Sequence, residues 1–302
     1  MQETERPLPY GLPVTVAHGL RRILAPNPSP MTGNGTNSYL LGTQDIALID
    51  PGPDDEAHLQ SILSAIAPRA RISHIVVTHA HRDHSALAGR MAAATGAQVL
   101  AFGDAVAGRS AIMEDLARRD NRAGGEGSDT TFRPDRTISD GETIETSEWT
   151  LNVLHTPGHF GNHICLRWGD HLFSGDHVMG WSTSVVAPPD GDMAAYMASL
   201  DKIEVQKASI LWPGHGDPVS APAARISELR LHRRARAAAI LAELRKGTST
   251  ATDLARRIYV DTPKSLLGAA SYNVFAHLIE MMQLNLAQPQ GVLSIDVPFA
   301  AV

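Results

Sequence analysis

Six residues, His79-Ala80-His81-Arg82-Asp83-His84, carry four side chains able to bind a metal ion, and they follow directly on an apolar run. Ile72, Ile75, Val76 and Val77 in that run read as a buried strand, so the four polar groups leave its C-terminal end together. Active-site loops of layered α/β folds gather at that end of their strands. The chain therefore has to place a buried strand where it can open into a polar site. Histidine nitrogen together with carboxylate oxygen suits a borderline-soft ion such as zinc better than calcium or magnesium. Fourteen histidines in 302 residues would seldom put three of them and an aspartate at these offsets by chance.

One short loop cannot bring four ligands to one ion without strain, so the arrangement suggests two adjacent ions with further ligands supplied downstream. Three segments repeat one plan, an apolar strand, a tight turn and then a ligand type. His159 follows Leu151-Asn152-Val153-Leu154 and the Pro157-Gly158 turn, Asp176 follows Leu172-Phe173-Ser174-Gly175, and His215 follows Ile210-Leu211-Trp212-Pro213-Gly214.

Taken together these segments resemble the metallo-β-lactamase-fold hydrolases, whose signature is HxHxDH followed by a distant His, Asp and His in this order. The resemblance spans roughly residues 14 to 220 and implies a four-layer αββα sandwich. It implies two zinc ions, one held by His79, His81 and His159, the other by Asp83, His84 and His215, with Asp176 bridging them. It further implies that a metal-bridging hydroxide is the nucleophile, so no protein group beyond the metal-bound water is catalytic. True β-lactamases of the superfamily lack the bridging aspartate, which sets antibiotic hydrolysis aside. Asp50 matches a family position that orders the ligand loop without binding metal. His163 matches one that lies near the metals, and it is read either as a substrate or supporting residue or as a satisfied histidine.

The surroundings of these motifs are less specific. Residues 36 to 50 read as a hairpin ending in Asp50, and residues 164 to 176 repeat that plan up to Asp176. Helices are expected over about 54 to 67, capped by Asp54 or Asp55, and over 84 to 94. The polar, glycine-rich stretch 118 to 129, within a longer insertion over 104 to 140, reads as a surface loop. The loop Gly33-Asn34-Gly35-Thr36-Asn37 either approaches a substrate closely, with Asn37 in a supporting place, or is a plain tight turn. Trp181 is read as pocket wall or as core. Strand alternation turns His155 and His177 away from the ligands beside them.

From about residue 221 the pattern changes to three helical stripes, the last over about 267 to 284, and a terminal strand over 292 to 299. A winged-helix-like unit over 221–302 is thus expected beside a catalytic domain over 1–220. With the terminal unit included, the chain resembles the lactamase-beta-two-like branch, whose members include an RNA endonuclease and thioesterases that release polyketides from carrier proteins. Residues 221 to 260 hold nine Lys or Arg against three acids, a face for RNA, for an acidic carrier or simply for solvent.

The net charge of -6 opposes nonspecific polyanion binding and favours cleavage of an ester or thioester on a small or carrier-bound acyl substrate. An endoribonuclease cutting single-stranded RNA is the competing reading. A zinc-stabilised nucleic-acid-binding module is the non-enzymatic one, disfavoured because closed structural sites prefer four, often cysteine-rich, ligands. The one cysteine, Cys165, lies in an apolar run and reads as a buried thiol. No apolar run approaches the roughly twenty residues of a membrane span, and the acidic N-terminus has no apolar core, so a cytoplasmic protein away from membranes is expected, a homodimer being an admissible assembly.

Overall fold

The apolar runs pair into two sheets in nearly the order in which they occur. The computed structural model of the chain describes residues 9–119 and 127–302. Strands β1 (Val14–Ala17), β2 (Leu20–Leu24), β3 (Asn37–Leu41), β4 (Asp45–Ile49), β5 (Arg71–Val76), β6 (Gln98–Ala101) and β7 (Arg136–Thr137) lie side by side in that order. The pairing is antiparallel up to β4 and parallel beyond it. The second sheet has the order β12 (Ile210–Pro213), β11 (His171–Gly175), β10 (Ile164–Trp168), β9 (Thr150–His155), β8 (Thr143–Glu145), with only β11 and β12 parallel.

Alternation within each strand builds the layers. In β4, Ala47 and Ile49 face the second sheet and share a core with Leu151, Val153, Ile164, Leu166, Phe173 and Trp212. Ile46 and Leu48 face the other way, onto Leu59 and Ile62 of helix α1 (Glu56–Ser64). In the second sheet Cys165, Leu172 and Leu211 turn outward and pack with Met193, Tyr196, Leu200, Ile226 and Leu229. Two buried faces per strand explain the unbroken apolar runs, and the result is the expected αββα sandwich.

Several local expectations hold. The hairpin ending at Asp50 and its echo ending at Asp176 are the antiparallel pairs β3–β4 and β10–β11. Asp55 caps α1, its carboxylate accepting the His58 N–H at 2.7 Å. Others are corrected. The helix expected over 84 to 94 is two pieces, a single turn α2 (Arg82–Ser85) and α3 (Ala88–Thr95). Gly52 takes the carbonyl of His84 and the N–H of Leu87, both at 3.1 Å, and so removes two groups a continuous helix would use.

The stretch 118 to 129 is not a surface loop at either described end, and residues 120–126 of it lie outside the described residues. Arg118 and Arg119 finish a helix, α4 (Ala111–Arg119). Ser128 forms a bridge to His81 in the ligand loop.

The C-terminal unit consists of α6 (Pro222–Leu244), α7 (Ala251–Ile258), α8 (Leu267–Gln283) and a two-stranded wing, β13 (Ala287–Pro289) with β14 (Phe299–Ala301); α5 (Met193–Glu204) precedes it, against the second sheet. The two wing strands flank the expected 292 to 299 rather than fill it, meeting it only at Phe299, and residues 290–298 are a turn-rich connection. Met113 and Leu116 of α4 belong to the core of this unit, with Ile240, Leu254, Val274, Phe275 and Phe299. The basic run in α6 and α7 is largely engaged. Arg230 pairs with Asp201 and Glu204, Arg225 donates to the carbonyls of Met179 and Ser182, Arg236 stacks on Tyr259, and Arg257 reaches Ser249. Among the described residues no helix is long and apolar enough to cross a membrane.

Candidate metal centre

All four strand ends singled out in the sequence meet at one place. Beyond β5, Asp50 at the end of β4 fixes the start of the ligand loop, its carboxylate accepting the N–H of Thr78 at 2.7 Å and the Thr78 hydroxyl at 2.8 Å. From there His79 and His81 reach into the centre, and α2 carries Asp83 and His84. Beyond β9, Gly158 lets the chain turn against α5, since a Cβ there would lie 2.3 Å from Cα of Tyr196. Beyond β12, Gly214 has the same role beside the candidate ligands: a Cβ would lie 2.4 Å from Oδ1 of Asp176 and 2.5 Å from Cε1 of His84.

The seven candidate ligands converge in two sets. His79, His81, His159 and Asp176 bring their donor atoms within 4.8 Å of one another, as do Asp83, His84 and His215. In the first set Nδ1 of His81 is 2.9 Å from Nε2 of His79 and 3.0 Å from Nε2 of His159. In the second, Nε2 of His215 is 3.3 Å from Nε2 of His84 and 3.2 Å from Oδ2 of Asp83. Asp176 reaches both sets, with Oδ2 3.2 Å from Nε2 of His215 and Oδ1 3.4 Å from Nε2 of His84. Metal–ligand bonds of about 2.0–2.2 Å separate neighbouring tetrahedral donors by roughly 3.3–3.6 Å; the contacts of 3.2–3.4 Å among Asp83, His84, His215 and Asp176 are close to that separation, and the 2.9 and 3.0 Å contacts of His81 are a few tenths of an ångström tighter.

The far side of four of the five rings supports the same reading. His84 meets Asp50 at 2.9 Å, His159 donates to the carbonyl of Val185 at 2.6 Å, His215 to that of Gly35 at 3.1 Å, and His79 to the Thr78 hydroxyl at 3.0 Å. Each bond turns the other ring nitrogen, with its lone pair, toward the centre. Oδ1 of Asp176 is buried with no hydrogen-bond donor of its own. Such an orphaned acceptor calls for a cation.

Burial keeps the three histidines of the first set neutral, lowering His79 far below the usual imidazole range, His81 to about 4, and His159 as well. Burial acts on His84 and His215 too, but the carboxylates of Asp83 and Asp176 outweigh it and raise both, His215 to about 10. The two carboxylates, despite their own burial, are held below the usual range by these imidazoles. The centre thus draws positive charge to itself.

The residues expected around the centre have diverse places. His163 is fully buried behind Asp176, accepting its backbone N–H at 3.2 Å and meeting the Thr156 hydroxyl at 2.9 Å, so it supports rather than faces the cleft. Asn37 donates to the carbonyls of Pro213 and Gly216 at 3.0 and 2.8 Å and holds the His215 turn. Trp181 is not core; it is 45% exposed and lies across Gly33 and Gly216. His155 stacks on Phe102 and His177 on Tyr196, both away from the centre as expected.

The centre opens into a cleft of about 850 Å³. His81, Asp83, His159, Asp176 and His215 line one end, and Tyr272, Phe275, Val292, Leu293 and Ile295 of the C-terminal unit line the other. Sequence reasoning missed that far wall, and it missed Asn162, Arg109 and Asp190. Asn162 bonds the N–H of Ala80 at 3.2 Å, and Arg109 pairs with Asp190, which also accepts from Ser128 at 2.7 Å. None of these lies in a pattern of its own. The place of Asn162 just before His163, a position already singled out, is the one signal that could have found it.

Comparison with known proteins agrees with this geometry. Residues 31–215 match the family described as the metallo-beta-lactamase superfamily, and residues 250–291 match a beta-lactamase associated winged helix domain. A beta-lactamase-like protein 2 homolog of Drosophila melanogaster is 33% identical, over 86% of this chain and 86% of its own. An atrochrysone carboxyl ACP thioesterase of Paecilomyces divaricatus is 32% identical over 65% of this chain, which spans 54% of that relative's length. A beta-lactamase domain protein of Burkholderia ambifaria shares the fold with a TM-score of 0.80 at 20% identity, over 99% of this chain and 96% of that one.

Proposed function

The chain belongs to the metallo-beta-lactamase superfamily and is a metal-dependent hydrolase, and we propose that it cleaves an ester or thioester bond of an acyl substrate at a centre of two zinc ions. His79, His81 and His159 would hold one ion, Asp83, His84 and His215 the other, and Asp176 would lie between them. The donor set of nitrogen and carboxylate oxygen supports zinc among divalent metals. When bound, such ions supply a water acidified to near neutrality and Lewis acidity toward a carbonyl oxygen.

The chain's own residues do the rest. Asp50, Thr78, Gly35 and Val185 fix the rings in the orientation that presents a lone pair inward. Asn37 and His163 hold the backbone of the His215 and Asp176 turns. The far wall takes up the acyl part and keeps water from it.

The character of the cleft carries the choice of substrate. Among the described residues that line it, Arg119 is the one lysine or arginine, set against Asp83, Asp176, Asp190 and Asp296. A phosphodiester backbone needs cations along its path, whereas an acyl chain needs the apolar wall that is there. Arg225, Arg230, Arg233 and Arg236 of α6 and Arg257 of α7 are engaged by partners within the chain. The third helix of the winged-helix unit is buried along most of its length, from Ala270 to Met281, and so is not available to enter a nucleic-acid groove. The thiol or alcohol carrier, small molecule or carrier protein, would remain outside the cleft. We also propose that the division near residue 220 separates catalytic from winged-helix parts, and that the protein works in the cytoplasm.

A zinc-loaded activity panel tests this reading. Acyl-coenzyme A thioesters, lactones and single-stranded RNA are compared, with His215→Ala as control. Thioester or ester turnover lost in that variant is expected. RNA cleavage lost in it, without acyl turnover, would reverse the assignment.

A further inference from the structure

Residues 184–186 form a strap behind the metal centre, and the C-terminal unit holds it. On the inner side, the carbonyl of Val185 accepts the Nδ1 hydrogen of His159 at 2.6 Å, and the hydroxyl of Ser184 donates to the carbonyls of Asp176 and His177. On the outer side, Oδ1 of Asn273 in α8 accepts the N–H of Val186 at 3.0 Å and Nη1 of Arg233 at 3.2 Å. Nη2 of Arg233, from α6, donates to the carbonyl of Ser184. The residues on both sides of Val185 are therefore pinned by two side chains of the C-terminal helices. The Arg233 guanidinium also lies over the Tyr196 ring at 4.9 Å, and that ring stacks on His177, next in sequence to Asp176.

Arg233 is 2% exposed, the acceptors just named are neutral, and its Nε is buried without a partner. An always-charged group desolvated in this way is costly, and an apolar side chain of similar volume often serves stability as well or better. Its placement points to what it holds. We infer that Arg233 and Asn273 are positioning residues for the metal centre, fixing through residues 184–186 the carbonyl that orients His159. The C-terminal unit then sets the metal affinity of the His79, His81 and His159 set as well as walling the cleft. This inference rests on the reading of the cluster as a two-ion centre.

Zinc affinity of the full-length chain, measured by competition with a chromogenic chelator and accompanied by thermal unfolding, tests it. Asn273→Leu removes the amide at similar volume, Arg233→Lys keeps the charge without the fork, and Asn273→Asp keeps an oxygen acceptor for both donors. Partners that orient metal ligands are worth about 10–100-fold in affinity. Asn273→Leu and Arg233→Lys are expected to weaken one zinc equivalent by that factor and leave the other unchanged, with Asn273→Asp close to the unaltered chain. If Asn273→Leu does not fold, Arg233→Lys decides alone. Two equivalents held as tightly as in the unaltered chain, or both weakened in step with lost stability, would overturn the inference. An unaltered chain that takes up fewer than two equivalents overturns the two-ion reading, and this inference with it, before any substitution is compared.

Discussion

Oδ2 of Asp50 accepts the Thr78 hydroxyl hydrogen and lies 2.9 Å from Nδ1 of His84, so one carboxylate oxygen ties the first residue of the ligand loop to the last. Asp50 does this from a left-handed backbone, φ 53°, which Asp and Asn tolerate better than Ala.

Replacement of Asp50 separates its two contributions. Asp50→Ala strands the Thr78 N–H and strains the backbone, and should cost about 2 kcal/mol or more in denaturant unfolding. Asp50→Asn keeps the backbone and one acceptor, so its loss should fall mainly on zinc affinity, by roughly 10–100-fold. Equal zinc affinity in Asp50→Asn and the unaltered chain would show that the His84 contact does not tune the centre.

Gly214 is the glycine whose added Cβ would meet two candidate ligands at once, so Gly214→Ala must displace Asp176 or His84. Zinc content should fall below two equivalents and hydrolysis should be lost. Gly89→Ala is the matched contrast, because nothing lies within 4 Å of a Cβ there and Gly89 sits inside α3. It should stabilise the chain by about 0.5–1 kcal/mol with activity unchanged.

Chelation should abolish hydrolysis and lower the thermal midpoint, both restored by added zinc. Zinc at a hundred times its dissociation constant stabilises a folded chain by about 2.7 kcal/mol per site. A midpoint indifferent to chelator would count against metal uptake by the folded state.

Tyr272 and Leu293 line the apolar end of the cleft. Tyr272→Ala should raise KM for long or aromatic acyl thioesters by about tenfold, about 1.4 kcal/mol. Acetyl thioesters, too short to reach the wall, should be turned over as before. A uniform fall in kcat for every chain length would instead mean that the substitution disturbs the centre.

His58 offers a pH test away from catalysis. It is buried against Ser38, whose hydroxyl is 2.9 Å from Nε2, and burial lowers its pKa to about 4. A histidine lowered on folding contributes stability that is fully present above its unfolded value of about 6.5 and is lost as pH falls toward 4. The loss amounts to roughly 3 kcal/mol. Urea unfolding from pH 7 to 4 should show a shallower decline for His58→Gln than for the unaltered chain.

Much of the centre was legible because the candidate ligands follow apolar strands, buried on both faces in β11 and β12 and at the C-terminal end of β5. Ile46 and Ala47, adjacent in sequence, belong to different cores, and that doubled burial is what made the runs visible. What stayed hidden depends on partners far along the chain. The helix over Ala111–Arg119 is short and runs into a polar, glycine-rich stretch, and Met113 and Leu116 acquire meaning only against Val274 and Phe299. Charge counting likewise could not tell a solvated arginine from Arg233, whose acceptors are Ser184 and Asn273. The break between α2 and α3 comes from Gly52, thirty residues upstream, and no helical periodicity could announce it.

The placement of α4 has a consequence for how the protein is made. Met113 and Leu116 leave the ribosome well before the helices that cover them, so a nascent chain carries an unfinished apolar face until residues 240 to 299 emerge. The catalytic sandwich can close on its own sheets in that interval, yet its cleft has no far wall. Competence for substrate would then wait on Tyr272, Phe275 and Leu293, which wall the far end of the cleft and are made long after the residues of the metal loop.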